Sequence, residues 1–473
     1  MRLDEVLKNK NLYGDHLKEI HKINEWYRIY EGDQEWVTAE GLDYTPTKKI
    51  TNHIKNLIDR KARFMFGKQL FFDVRPLADG EGSDETKKQM AQEKEDLLES
   101  ILRANKFHSK LIKAYKDSCI AGRVAIKLWA NKEEGLKIIF VPAQEFIIDY
   151  DTDDIDQINK ITYVYALNDA PEEADQRIKK QTWELDERGM CILNEATYDG
   201  YGRIVSIEEE NKNTELDFIP AIIVRNGGLT GDTKGDSDVK ALWDNQDAYN
   251  KLTSDDIDAL KFQMFGQAVA TDAAESSLEN IKIAPGALID LQTDETKAGD
   301  KQAKMERLES NFSYKDKFED TINRIKNDMH ETIGVPNIGL EQLKGLMQSG
   351  KSMKALYWEL KAVCDEAWTE WEAALEEMAD KIFKMVEVYN LYDAAKTAAY
   401  ETGLEIMHSY PISDDELEQK QIDMAEVTAE VRSRESYMNK WGNYEDIKAE
   451  LEQIQLEKRL LEDSYTQELL DTI

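Results

Sequence analysis

One stretch of this sequence has a spacing that could do chemistry. Gly345 to Ser352 reads G-x-x-x-x-G-K-S, the pattern of a phosphate-cradling loop. In that chemistry backbone amides and Lys351 hold phosphates while Ser352 ligates magnesium. Such a loop follows a buried, β-branched strand. The residues ahead of it, Ile338-Gly339-Leu340-Glu341-Gln342-Leu343-Lys344, alternate like neither a core strand nor a good helix. An apolar run ending in Asp, which would hold the metal, does not follow downstream; Phe146 to Asp149 and Ala287 to Asp290 are of that kind and lie upstream. No other catalytic pattern emerges. His16, His21, His53, His108, His330 and His408 are scattered, and Cys119, Cys191 and Cys364 fit no zinc spacing. A P-loop ATPase stays open as an alternative. Otherwise the chain is expected to be no enzyme, with no cofactor and no metal.

The element that must position this loop is the helix that follows it. Pro336 and Gly339 punctuate the approach, and no further Gly or Pro occurs between Gly350 and Gly403. Apolar residues at Met353, Leu356, Tyr357, Leu360, Val363, Cys364, Ala367, Trp368, Trp371, Leu375, Met378, Ile382 and Met385 recur at gaps of three and four. They predict one stripe along a helix of roughly ten turns. The other face carries Glu359, Asp365, Glu366, Glu370, Glu372, Glu376, Glu377 and Asp380. A helix this long with tryptophans in its stripe is a spine for other elements.

Composition narrows the function classes. A chain of 473 residues can bury a large core and predicts two or more domains. With 61 basic and 95 acidic residues, the formal charge is −34. Tight neutralisation of DNA phosphates needs the opposite sign. Three dispersed cysteines predict reduced thiols and no disulfide framework. Met1 to Glu5 has no apolar signal region, and no window approaches eighteen apolar residues, so no membrane partner is expected.

In chain order, residues 3–30 read as helical and stop near Gly32, and a second helix runs from Ile50 to Gly67. Phe71 to Pro76 is a short strand, Asp79 to Thr86 a surface loop, and residues 88–122 one helix. Strands are predicted at 124–129, 136–141, 145–148, 161–167, 182–185, 191–198 and 204–208. The first half is therefore α+β, within a chain that is mainly helical. After Ile219 to Asn226 and a Gly-rich link, a helix over 236–264 carries Asp238, Asp244, Asp247, Asp255, Asp256 and Asp258. A strand-rich insertion follows, with runs at 268–270, 281–283 and 287–291 and a charged connector over 293–304. Ser313 to Asp316 then predicts a capping box for a helix burying Phe318, Ile322, Ile325, Met329 and Ile333, stopped by Gly334 and Pro336. Beyond the spine come a strand at 404–408, a second capping box from Ser413 to Glu416, and helices to Asn439 and over 445–470, broken at Trp441-Gly442-Asn443.

This order resembles the portal proteins of tailed double-stranded DNA bacteriophages, of the type found in long-tailed phages of Gram-positive bacteria. The local patterns are Asn52 to Gly67, Ile219 to Asn226 with Ser237-Asp238-Val239-Lys240, Ser349-Gly350 with Lys354, and Val431 to Ser436 with Trp441-Gly442. Lys351 and Ser352 depart from the family's usual small or apolar residues. The resemblance implies a portal-like architecture: wing over 1–235, first stem helix over 236–264, clip over 265–312, second stem helix over 313–334, tunnel loop over 335–351, spine and return to the wing over 352–410, and helical crown over 411–473. It implies a homo-oligomeric ring, a dodecamer, at one vertex of the virion capsid and assembled in the bacterial host cytoplasm. The implied partners are double-stranded DNA passing through the channel, the terminase large subunit, the major capsid and scaffolding proteins, and the head–tail adaptor. A coiled-coil scaffold or adaptor is the other alternative; it explains the spine but not the strands.

Within that frame the charges take on mechanical roles. Asp244, Asp247, Asp255 and Asp258 would face the channel and repel DNA, against the plainer reading of a solvated helix face. A ring of twelve would carry on the order of −400 formal charges, screened beyond about 8–10 Å. In the tunnel loop, Lys344, Lys351 and Lys354 would make transient phosphate contacts, and Leu343, Leu346 and Met347 a soft apolar collar. Gly345, Gln348, Ser349 and Gly350 complete that DNA-facing set. The plainer reading pairs the lysines with Glu341 or Glu359.

Overall fold

A computed structural model describes residues 13–36, 44–77, 83–151, 153–168, 170–264, 268–274, 291–293, 302–307, 313–338, 354–412, 416–441, 450–451 and 453–454. The chain divides into two units, Met1–Asn337 with Glu359–Tyr410, and Ile338–Trp358 with Pro411–Ile473.

The larger unit opens with helices α1 (Leu17–Glu31) and α2 (His53–Phe66), then strand β1 (Phe71–Pro76) and helices α3 (Asp84–Ala104) and α4 (Phe107–Ala121). Strands β2 (Arg123–Asn131), β3 (Gly135–Pro142), β4 (Phe146–Tyr150), β5 (Ile158–Ala166), β6 (Ile178–Leu185), β7 (Cys191–Tyr198), β8 (Ile204–Asn213) and β9 (Ala221–Arg225) follow. Two antiparallel sheets result, a three-stranded one ordered β3-β2-β9 and a five-stranded meander ordered β4-β5-β6-β7-β8. Helix α5 (Asp238–Met264) leads to the hairpin strands β10 (Ala268–Thr271) and β11 (Lys304–Arg307), and α6 (Lys315–Thr332) returns alongside α5. The spine α7 spans Trp358–Tyr389 and is followed by the short α8 (Ala395–Ala399) and β12 (Thr402–Met407), which pairs antiparallel with β1. The protein is α+β, as its pattern of apolar periods predicts.

Aromatic packing explains why the spine is apolar where it is. Phe66, at the end of α2, meets Tyr115 of α4 and Trp371 of α7 edge-on, with ring centroids 5.4 and 5.2 Å away. Such contacts add about 0.5–1.5 kcal/mol per pair beyond area burial. Leu360, Cys364, Trp371, Leu375, Met378, Ile382 and Met385 of the predicted stripe are buried. The spine nevertheless stops at Tyr389, fourteen residues before Gly403. Asn390, Tyr392 and Asp393 take left-handed backbone conformations there, and the Tyr392 hydroxyl accepts from Leu136 N at 2.6 Å. Docking onto the β3 edge, not a helix-breaking residue, turns the chain.

A similar tertiary contact splits the helix predicted over 88–122. The Asn105 side chain donates to Ile101 O and Leu136 O and accepts from Ile138 N, each at 2.9 Å, and Lys106 turns left-handed with φ 52°. Helix α3 begins earlier than expected because Ser83 accepts from Thr86 N and caps it. The predicted Ser313 capping box does not form; α6 starts after Tyr314 with no side-chain cap, and Phe318, Ile322 and Ile325 are only half-buried. The strand predictions over 281–283 and 287–290 and the box at Ser413 lie outside the described residues.

In the smaller unit, helices α9 (Glu416–Thr428) and α10 (Arg434–Trp441) form a hairpin broken at 429–433, where continuous helix is predicted. The buried Asp423 carboxylate organises it, with Trp441 Nε1 at 2.6 Å, Arg432 at 2.7 Å and Lys440 at 2.8 Å. Arg432 and Trp441, two residues of the C-terminal pattern in the sequence, therefore share one anchor.

Candidate functional site

Helix α5 is the element on which the predicted channel residues can be placed, and its entry is tightly built. Ser237 accepts from Lys240 N at 3.1 Å, capping the helix, and donates to Ile120 O at 2.6 Å. Asn226, at the end of β9, donates its amide to Gly122 O at 2.7 Å and accepts from Asp236 N at 2.8 Å. Gly122 and Gly235 pass so closely that a Cβ on Gly235 would lie 2.1 Å from Gly122 O. Both also have positive φ, so neither tolerates a side chain. Asp238, the first residue of α5, pairs with Lys61 of α2 at 2.8 Å with both side chains buried. Burial works to lower the Lys61 pKa, but Asp238 beside it wins and holds the amine well above its usual range.

Along the same helix, every fourth residue is buried: Asp238, Leu242, Gln246, Asn250, Ser254 and Asp258. Four of these side chains clamp an extended segment. Asp258 accepts from Thr47 N at 2.8 Å, Ser254 from Lys49 N at 3.0 Å, Asn250 from Thr51 N at 3.1 Å, and Gln246 from His53 N at 2.9 Å. Gln246 also donates to Thr51 O at 2.8 Å, and Asn250 donates to Gln34 Oε1 at 2.6 Å. The match is geometric. Four helical residues rise ~6 Å, and two extended residues span ~6.6 Å, so the helix period meets every second amide of the segment. The ladder satisfies backbone groups of a stretch that has no sheet to join.

Within the single subunit Asp258, one of the acids expected at the channel, is buried against Thr47, whose hydroxyl it also binds, and Lys261 lies 3.2 Å away. Burial alone would raise its pKa; the Thr47 and Lys261 bonds outweigh that and lower it. Asp244 and Asp255 are exposed, and Asp247 is half-buried beside Lys251 at 2.6 Å. Asp256 accepts from Tyr314 at 3.1 Å, beside the start of α6. Leu343, Lys344, Gly345, Leu346, Met347, Gln348, Ser349, Gly350 and Lys351 lie outside the described residues, and Lys354 is exposed. Residues 335–338 are coil, and residues 339–353 lie outside the described residues.

Sequence reasoning missed the ladder. Its signal was present as polar residues four apart on α5 and the alternation Thr47, Lys49, Thr51, His53. Residues 9–461 match the family model described as phage portal protein, SPP1 Gp6-like. No curated protein matches the chain. With that match spanning nearly the whole sequence, the chain belongs to the phage portal protein family.

Proposed function

We propose that this chain is the subunit of a homododecameric ring at one capsid vertex, through which double-stranded DNA is packaged and later ejected. The family match over residues 9–461 carries this reading. In it, residues 1–235 with the spine form the wing, α5 and α6 the stem, 265–312 the clip, 335–351 the tunnel loop and 411–473 the crown. The clip docks the terminase large subunit and then the head–tail adaptor, and assembly occurs in the host cytoplasm beside capsid and scaffolding proteins. The exposed Asp244 and Asp255, with Asp247, line the channel and repel phosphates so that DNA slides without sticking. Lys344, Lys351 and Lys354 at the tunnel loop make brief phosphate contacts. Two features of α5 support a stem role. Its entry is locked to the wing through Ser237, Asn226 and the Lys61–Asp238 pair, and its buried ladder stiffens it without using the exposed acids.

Native mass and negative-stain images of the purified protein test the proposal. Rings of about twelve subunits with a central hole are expected. A protein that stays monomeric across salt and concentration, with scaffolding protein present, would overturn it. Lys344→Glu with Lys351→Glu should leave ring mass unchanged and impair DNA retention; normal packaging by that variant removes the loop from the mechanism.

A further inference from the structure

The chain passes between its two units three times, after Asn337, Trp358 and Tyr410. On the side of the larger unit, the first turns of α7 hold all three passages. Just ahead of the first, Gly334 lies so close to α7 that a Cβ there would sit 2.8 Å from Val363 Cγ2 and 3.5 Å from Glu359 Cγ. Its φ of +66° and the buried Ile333 and Val335 on either side make this a close-packed joint. The second passage is the start of α7 itself.

The third passage is held differently. Ile406, His408 and Tyr410 alternate with the exposed Met407 and Ser409, so they share one side of the extended chain. The His408 ring stacks on Trp368 with centroids 4.2 Å apart, and its Nε2–H donates to Met65 O at 2.7 Å. Tyr410 stacks on Phe64 at 4.9 Å and donates its hydroxyl to Asp365 Oδ1 at 2.8 Å. The Lys361 ammonium lies 5.4 Å from the Tyr410 ring centroid and also pairs with Asp365. Lys361, Asp365 and Trp368 are spaced four and three apart and share one face of α7, about 180° from Glu359 and Val363. The start of α7 is therefore gripped from opposite sides. The two grips differ in strength. Gly334 is shut away from water, whereas the Lys361 and Asp365 side chains are 44% and 50% exposed, so the bond from Tyr410 competes with water.

We propose that Tyr410, held by Asp365 and Lys361, is a releasable clasp on the third passage. Closed, it sets the direction in which the chain leaves toward residues 411–441; open, it lets that segment swing while Gly334 keeps the first passage fixed. The joint has little slack. Pro411 follows Tyr410 directly, its own φ is fixed by the ring, and it keeps Tyr410 out of the helical region. Few backbone angles stay free once the hydroxyl is bound, and those few act as the hinge. The inference concerns the single subunit and does not depend on the ring.

The test uses the full chain, spin-labelled at Glu376→Cys on α7 and Ala425→Cys on α9, both exposed positions, and diluted with unlabelled chain so that distances within one subunit are read. The native Cys119, Cys191 and Cys364 are buried and should take no label. Tyr410→Phe with Asp365→Asn keeps the ring on Phe64 and removes the bond. The distance distribution should broaden, and cleavage by a non-specific protease within 408–412 should speed by at least ~10-fold while the rest of the larger unit stays resistant. An unchanged width with unchanged cleavage would overturn the clasp. Faster cleavage without broadening would overturn the swing, leaving Tyr410 as a local tether. Should the double variant unfold, Lys361→Ala decides, since it leaves every buried contact in place. It should broaden the distribution to a lesser degree, and a wild-type width there would overturn the proposal.

Discussion

Lys61 Nζ lies 2.8 Å from Asp238 Oδ2, and the two side chains are only 5% and 12% exposed. The pair joins α2 to the first turn of α5, where the carboxylate also meets the positive end of the helix dipole. Removing one partner leaves a buried charge unpaired. Asp238→Ala should therefore lower stability by about 3–5 kcal/mol, whereas Lys61→Met with Asp238→Leu should come within about 1–2 kcal/mol of wild type or exceed it. Denaturant midpoints of the three proteins decide this. Equal losses in the single and double variants would mean that packing at the site, and not the charge, matters.

The ladder on α5 predicts a pattern in hydrogen exchange. Amides of Thr47, Lys49, Thr51 and His53 have side-chain acceptors at 2.8–3.1 Å. In the wild type these four should exchange slowly although they belong to no sheet. Asn250→Ala should speed exchange most at Thr51 and lower stability by roughly 1–3 kcal/mol, because Gln34 also loses its partner. Uniformly fast exchange over 47–53 in the wild type would contradict the clamp.

A pH dependence follows from Asp117, which accepts from Tyr27 at 3.0 Å. Burial raises its pKa to about 6, against the smaller lowering effects of Tyr27 and Lys116. Glu145, raised to about 7 by burial and by Asp117, acts in the same sense. A folded pKa above the unfolded value near 3.9 means that the folded chain binds the extra proton. The Asp117 contribution is thus most favourable below about pH 4 and is lost as pH rises through 6. Asp117→Asn keeps an acceptor for Tyr27 and removes this titration. Relative to wild type it should gain roughly 1–2 kcal/mol between pH 4 and pH 7, allowing for partial solvent screening. Parallel stability curves for the two proteins across that range would show that Asp117 does not titrate as described.

These residues also show what was legible in the sequence. The stripe Leu360, Cys364, Trp371, Leu375, Met378, Ile382 and Met385 depends only on local period, and the same holds for the strands of the meander. Asn105 and Tyr392 break their helices through contacts with β3, 31 and 256 residues away in sequence, which no local signal carries. The acids of α5 divide for the same reason. Asp255 and Asp258 look alike on a helix face, yet Asp258 is selected by Thr47, 211 residues earlier. Its burial is a property of the segment that docks, not of the helix that presents it.

That distinction gives α5 two classes of acid and two different outcomes. Asp244 and Asp255 are exposed, so Asp244→Lys with Asp255→Lys should leave stability within about 0.5 kcal/mol and ring mass unchanged. If those positions line the channel, twelve copies of each would convert a repelling wall into a binding one. Packaging should slow, and the defect should shrink as salt rises toward values that screen beyond a few ångströms. Asp258→Lys should act otherwise, placing a cation beside Lys261 and stripping Thr47 of both its bonds to the carboxylate. It should destabilise the subunit itself, by roughly 2–4 kcal/mol, before any ring forms. Measuring stability, ring mass and DNA packaging on both variants separates the channel from the strap. A packaging rate unchanged by the exposed pair in assembled rings would remove Asp244 and Asp255 from the channel wall.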